Sequence, residues 1–150
     1  MADNSSDELR TGLATLLFRR DGSLVGNVLA DINIALGAQA TFQINLHTSD
    51  PKAGAGDATE GVCDYIGYLK DTAVNESSEW LLTGTNLIDN VDILTFGEKT
   101  SGADDLVTHA SIADNTSNAL LYSGAVQTNI NVANGITPRF VAGALSVTFT

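Results

Sequence analysis

The chain has 150 residues, a formal net charge of −11, and 43% hydrophobic but only 17% charged residues. This length suits one domain that buries a core without a cofactor, and the single cysteine, Cys63, excludes an intrachain disulfide. The acidic excess disfavours nucleic-acid binding, which depends on Lys and Arg to neutralise phosphates. Because Thr, Ser, Asn and Gly must supply most of the polar surface, we expect an all-β protein.

The amino-terminal residues predict a short helix. Ser5 and Glu8 form a capping box, and Asp21-Gly22 is typical of a helix end. We therefore predict an arm over 1–22 and a β domain over 23–150. Apolar residues repeat at helical spacing and either pack on the protein's own sheet or contact a neighbouring subunit. These residues are Leu9, Leu13, Leu16 and Leu17.

The segment 24–36 is apolar without a clear period, so it is compatible with a strand or with a helical turn followed by a strand. The next segment, Phe42 to His47, alternates apolar and polar residues, which predicts a half-buried strand with one face in water. Asp50-Pro51 and several glycines then predict a loop over 49–61. The loop lacks a Gly-Lys-Ser/Thr ending and has acidic flanks, so nucleotide binding is not expected.

Further strands are expected wherever β-prone runs are bounded by Gly, Asn, Asp or Ser. Asp114 to Asn118 predicts a hairpin, and Asn134-Gly135 predicts a turn with positive φ. Closely spaced strands without intervening helices indicate an antiparallel β-sandwich or a jelly-roll-like barrel. The predicted strands span residues 65–74, 86–96, 106–114, 118–127, 129–133 and 145–149.

No pattern typical of a catalytic or metal site is present. The two histidines, His47 and His109, lie on different predicted strands without a nucleophile motif, and both fall where a surface or interface imidazole is expected. Paired acids such as Asp104-Asp105 could serve glycan cleavage, but such loop acids are usually solvated in an acidic chain. We expect no enzyme activity, no cofactor and no metal.

Two features are candidates for subunit contacts. Trp80 lies in a polar run between predicted strands, where it either closes one end of the core or anchors an interface. Pro138 indicates an edge or a bend, which leaves Arg139, followed by Phe140, placed to pair with an acid on a neighbour.

Several strings occur in the order found in small virion proteins of tailed bacteriophages. They are the "HTSDP" and Gly-rich stretch from His47 to Gly56, "VTH" at 107–109, "LLYSGAV" at 120–126, and "GITPRFVAGAL" at 135–145. The chain resembles that family from Phe42 to Thr150. The resemblance implies a virion component that is either a head decoration protein or a tail-fibre-like protein.

The main interpretation is a capsid decoration, or cement, protein on the outer head shell, and the alternative is a tail or tail-fibre component. The few charged residues predict a closed homo-oligomer, with a trimer expected. Its partners would be its own copies and the major capsid protein or tail proteins, without nucleic acid or membrane. No signal peptide is recognisable, so synthesis in the host cytoplasm is expected. The candidate interface residues are Leu9, Leu13, Leu16, Asp50, Pro51, Trp80, Pro138, Arg139 and Phe140.

Overall fold

A computed structural model describes residues 40–53 and 57–148, and the predicted all-β, antiparallel fold class is confirmed within them. The predicted helix, with Leu9, Leu13 and Leu16, and the segment 24–36 lie outside the described residues. The strands are β1 (Thr41–His47), β2 (Asp71–Val74), β3 (Trp80–Thr83), β4 (Leu87–Asn90), β5 (Leu94–Thr95), β6 (Asp105–Asp114), β7 (Leu120–Val132), β8 (Arg139–Phe140) and β9 (Ser146–Thr148).

The chain divides into two compact units. Among the described residues, the large unit contains 41–73 and 94–139 with their gap at 54–56, and the small unit contains 40, 74–93 and 140–148. The predicted boundary after residue 22 lies outside the described part of the chain.

The large unit is built on a four-stranded sheet with the strand order β2-β1-β6-β7. β6 pairs antiparallel with both β1 and β7. Ile44 and Leu46 from β1 and Val107 from β6 are all 0% exposed. The core of this unit therefore lies against its two central strands, and β2 and β7 form the edges.

The expectation that β1 has one face in water is wrong. Its polar residues Gln43, Asn45 and His47 are only 3%, 3% and 0% exposed. Alternation correctly predicted the strand, but it could not show that residues 57–70 supply partners for the polar side chains. The Glu60 carbonyl oxygen, for example, lies 2.7 Å from His47 Nδ1.

The β6–β7 hairpin forms where Asp114 to Asn118 predict it. The Asp114 carboxylate accepts hydrogen bonds from the Thr116 amide at 3.1 Å and the Ser117 amide at 2.6 Å. Asn118 takes a φ of +60°, a conformation that asparagine tolerates better than most residues. The bonds from Ser117 lower the pKa of Asp114, because they favour its charged form.

The two strands predicted at 118–127 and 129–133 are a single strand, β7. Val107 and His109 of β6 pair with Ile130 and Ala125, so four residues of β7 oppose one residue of β6. This irregularity replaces the predicted break at residue 128. The polar residues in the middle of β7 remain extended because the chain stays paired with β6 on both sides of them.

The small unit has a three-stranded antiparallel sheet with the order β3-β4-β9. β3 was not predicted from the sequence, because the polar residues Ser77 to Glu79 that precede it are typical of a loop. Asn90, which is 3% exposed, donates to the Val141 carbonyl and accepts from the Leu145 amide. These bonds hold the segment 141–145 against β4.

Other predicted strands are shorter than expected. Only 71–74 of the run 65–74 is a strand, and the run 86–96 is divided into β4 and β5 by a bend at 91–92. Gly67 explains why the chain turns before β2: its φ is +103°, and a Cβ there would overlap the Glu98 carbonyl oxygen. β5 pairs with β8 in a separate two-stranded sheet.

Candidate functional site

The Asp50-Pro51 pair forms a fixed turn directly after β1. Asp50 is exposed, and its Oδ1 accepts a hydrogen bond from the Lys52 amide at 2.9 Å. Pro51 is almost completely buried. The proline therefore anchors the turn inside the protein, and of the two predicted interface residues only Asp50 presents its side chain to solvent.

The Pro138-Arg139-Phe140 motif has the same arrangement. Pro138 is buried, and its carbonyl accepts a hydrogen bond from the Phe96 amide at 3.0 Å. Arg139 is exposed on β8, and Phe140 is half-buried. A buried proline again positions an exposed charged residue, which leaves Arg139 accessible to a partner.

Trp80 is a core residue of the small unit. It is 0% exposed, and its indole Nε1 donates to the Val74 carbonyl at 2.9 Å. This burial supports the core alternative for Trp80, because an interface anchor requires an accessible indole in the free subunit.

Beside β1, the large unit has an open cavity of about 340 Å³. Gln43 donates to the Asn118 side chain at 2.8 Å and accepts from the Lys70 ammonium, so these lining groups bond to one another. Asn45 Nδ2 is buried and has no hydrogen-bond partner among the described residues. The lining consists of Gln43, Asn45, Ala58, Thr59, Val62, Tyr68, Leu69, Lys70 and Asn118. It contains neither a paired acid nor a cluster of cations.

His47 is buried on the same side of β1, and its expected surface position is wrong. Its Nδ1 lies 2.7 Å from the Glu60 carbonyl oxygen and its Nε2 lies 2.7 Å from Ser111 Oγ. Burial lowers the pKa of His47 from 6.5, because desolvation disfavours the charged imidazolium. His109, by contrast, is partly exposed. His47 therefore joins β1, β6 and the loop after β1.

Lys99 is an internal cation that the sequence did not single out. Its side chain is 0% exposed, and its ammonium donates to the Ala103 carbonyl at 2.6 Å, Asp104 Oδ1 at 2.7 Å and the Val132 carbonyl at 3.2 Å. The bond from Lys99 lowers the pKa of Asp104, because it favours the carboxylate. Lys99 thereby fixes the loop before β6 to the last residue of β7.

The acids considered for catalysis have structural partners. Asp104 binds Lys99, and Asp105 Oδ2 accepts from the Asp64 amide at 3.1 Å. Within the described ranges, no group of three or more His, Cys, Asp or Glu residues is placed to hold a metal ion. The described part of the chain contains no helix that is long and apolar enough to cross a membrane.

The longest strand of the large unit, β7, is largely exposed. Over 13 residues it buries only Val132, and among the strands that the structure describes it pairs with β6 alone. The whole segment 115–138, which includes β7, contains no Asp, Glu, Lys or Arg. In a chain with 25 such residues, this segment forms a neutral surface on an acidic protein. This surface is not predicted from the sequence, because a stretch without charged residues carries no motif of its own.

The described residues form two all-β units, in which polar residues such as His47 and Lys99 are buried and hydrogen-bonded within the protein. Residues 25–148 match the family described as "Podophage GP4 fiber I protein gp80". The chain belongs to this family, which makes it a bacteriophage virion structural protein. The match supports the tail-fibre alternative better than capsid decoration. No curated protein matches the chain.

Proposed function

We propose that this protein is a non-enzymatic structural subunit of a podophage tail fibre. The family match over residues 25–148 carries this proposal, because the family is described as a fibre protein. The structure is consistent with it: the polar residues that could perform chemistry, such as His47 and Lys99, are buried and bonded within the protein. Its partners are copies of itself, in a trimer, and neighbouring tail proteins.

Immunogold labelling of intact virions tests the location. We expect antibodies raised against the purified protein to label the tail, and adsorption of the antibodies with that protein to remove the label. Gold distributed over the head shell would contradict the proposal and restore the capsid decoration interpretation.

Particles assembled without the protein provide a second test. A tail-fibre subunit predicts heads that retain their DNA on heating as well as complete virions do, together with a loss of adsorption to cells. A cement protein predicts the opposite pattern, with early DNA release, because the capsid would lose contact area between its subunits.

Asp50, Arg139 and Phe140 are proposed to contact neighbouring subunits. Changing Arg139 to Glu should weaken incorporation into the virion but change the unfolding free energy by less than about 1 kcal/mol, because an exposed charge contributes little to folding. Arg139→Gln should have an intermediate effect on incorporation. A large drop in melting temperature with normal incorporation would identify Arg139 as an internal brace instead.

A further inference from the structure

The outer edge of β7 is suited to pairing with another strand. In an edge strand, the backbone N–H and C=O groups on one side have no neighbouring strand, and natural proteins usually protect them. The two edges of the large sheet differ in this respect. β2 has four residues and begins with Asp71, after Lys70, whereas β7 has 13 residues and no charge.

β7 also buries few of its side chains against its own unit. Along its length, Leu121 is 41% exposed and only Val132 is buried. The partner strand β6, in contrast, buries five of its ten residues. The apolar and neutral side chains of β7 thus extend the exposed edge into a broader uncharged surface.

The charge distribution indicates what covers this surface. Two copies of a chain with a net charge of −11 repel each other, and this repulsion is weakest where acidic residues are absent from the contact. The segment 115–138 meets this condition. A positively charged partner would instead require acidic residues in the segment 115–138. A neutral edge on an acidic protein is therefore suited to contact with a second copy of the chain.

We infer that β7 is the surface through which copies of this chain join, with the edge of β7 pairing to a strand of a second copy. This inference goes beyond the tail-fibre proposal, because it holds wherever the subunit lies on the virion. A head location would overturn the proposed function and leave this interface intact. An oligomer that does not involve β7 would overturn this interface and leave the proposed tail-fibre function intact.

Substitutions that place a positive or a negative charge at Leu121 test the interface. Leu121→Lys and Leu121→Glu should each raise the dissociation constant of the purified oligomer by about a hundredfold or more, because a charge repeated across a contact between copies is repelled and desolvated. The matched controls are Leu81→Lys and Leu81→Glu, since Leu81 is 53% exposed on β3. These controls should leave the oligomer unchanged in size-exclusion chromatography with light scattering.

A cysteine placed on β7 provides a test that does not depend on destabilisation. Ala125 is exposed on β7, and Ala142 is an exposed alanine of the small unit. The native Cys63 is 1% exposed, so an added cysteine is the reactive thiol. With a short bismaleimide, Ala125→Cys should give a linked pair of chains, and Ala142→Cys should remain single.

Three results would overturn the inference. The first is a protein that stays monomeric at all concentrations while Ala125→Cys remains reactive, which would leave the edge to a different protein. The second is a monomer in which Ala125→Cys is unreactive, which would show that the chain covers β7 itself. The third is an oligomer that neither Leu121 variant dissociates.

Discussion

β1 and β7 belong to the same four-stranded sheet but have opposite surroundings. β1 buries six of its seven residues, including three polar ones, whereas β7 buries one of 13. The side chains of Gln43 and His47 on β1 bond within the protein, whereas all but one of the β7 residues are partly or fully exposed. Partners such as the Lys70 ammonium and the Glu60 carbonyl account for this difference more than residue polarity does, because a buried polar group is tolerated once it is paired.

The largest expected effect compares leucines on the two strands. Leu46 on β1 is 0% exposed and Leu121 on β7 is 41% exposed. Leu46→Ala should cost about 2–5 kcal/mol of unfolding free energy, because it leaves a cavity. Leu121→Ala should change that value by less than about 0.5 kcal/mol in the dissociated protein. Urea denaturation at low protein concentration measures both, and similar losses would contradict the contrast between the strands.

The second prediction concerns the fixed end of β7. Lys99→Met should lower the unfolding free energy by about 1.5–3 kcal/mol, because the buried ammonium that binds Val132 and the loop at Ala103 is lost. Lys52→Met, at an exposed lysine, is the control and should have little effect. An equally small effect at Lys99 would mean that this end of β7 is held by backbone pairing alone.

The third prediction uses pH to test the burial of the polar face of β1. Because burial lowers the pKa of His47 from 6.5, the unfolded state binds the proton more tightly than the folded state does. The contribution of His47 to stability is therefore fully present above pH 6.5 and declines as the pH falls below it. His47→Gln should flatten the dependence of unfolding free energy on pH between 7.5 and 5.5. If the variant keeps the same pH dependence of unfolding free energy, groups other than His47 cause that dependence.

The fourth and smallest effect is chemical rather than energetic. Burial raises the pKa of Cys63 to about 12, and its amide donates to the Leu46 carbonyl at 2.9 Å beside β1. Iodoacetamide at pH 8 should therefore modify Cys63 slowly in the folded protein and rapidly in urea. Rapid modification without urea would indicate that this side of β1 opens readily.

The sequence predicted the all-β class, the β1 and β6 segments and the Asp114 hairpin because these depend on local alternation and turn chemistry. It failed where distant residues decide the outcome. The burial of His47 depends on the Glu60 carbonyl and Ser111, and the role of Lys99 depends on Val132, 33 positions away. Arg139 and Asp50 were predicted as exposed contacts, and both are exposed, but their proposed partners lie in other subunits.

Hydrogen–deuterium exchange tests the contrast between β1 and β7 most directly. It compares intact virions with the diluted, dissociated subunit, and peptides from β1 serve as the internal reference. We expect β1 amides and the β7 amides bonded to β6 to exchange slowly in both samples. The β7 amides that point away from β6 should exchange slowly only in the virion, because pairing with a second copy protects the outer edge. Equal exchange of these outer amides in both samples would contradict the account.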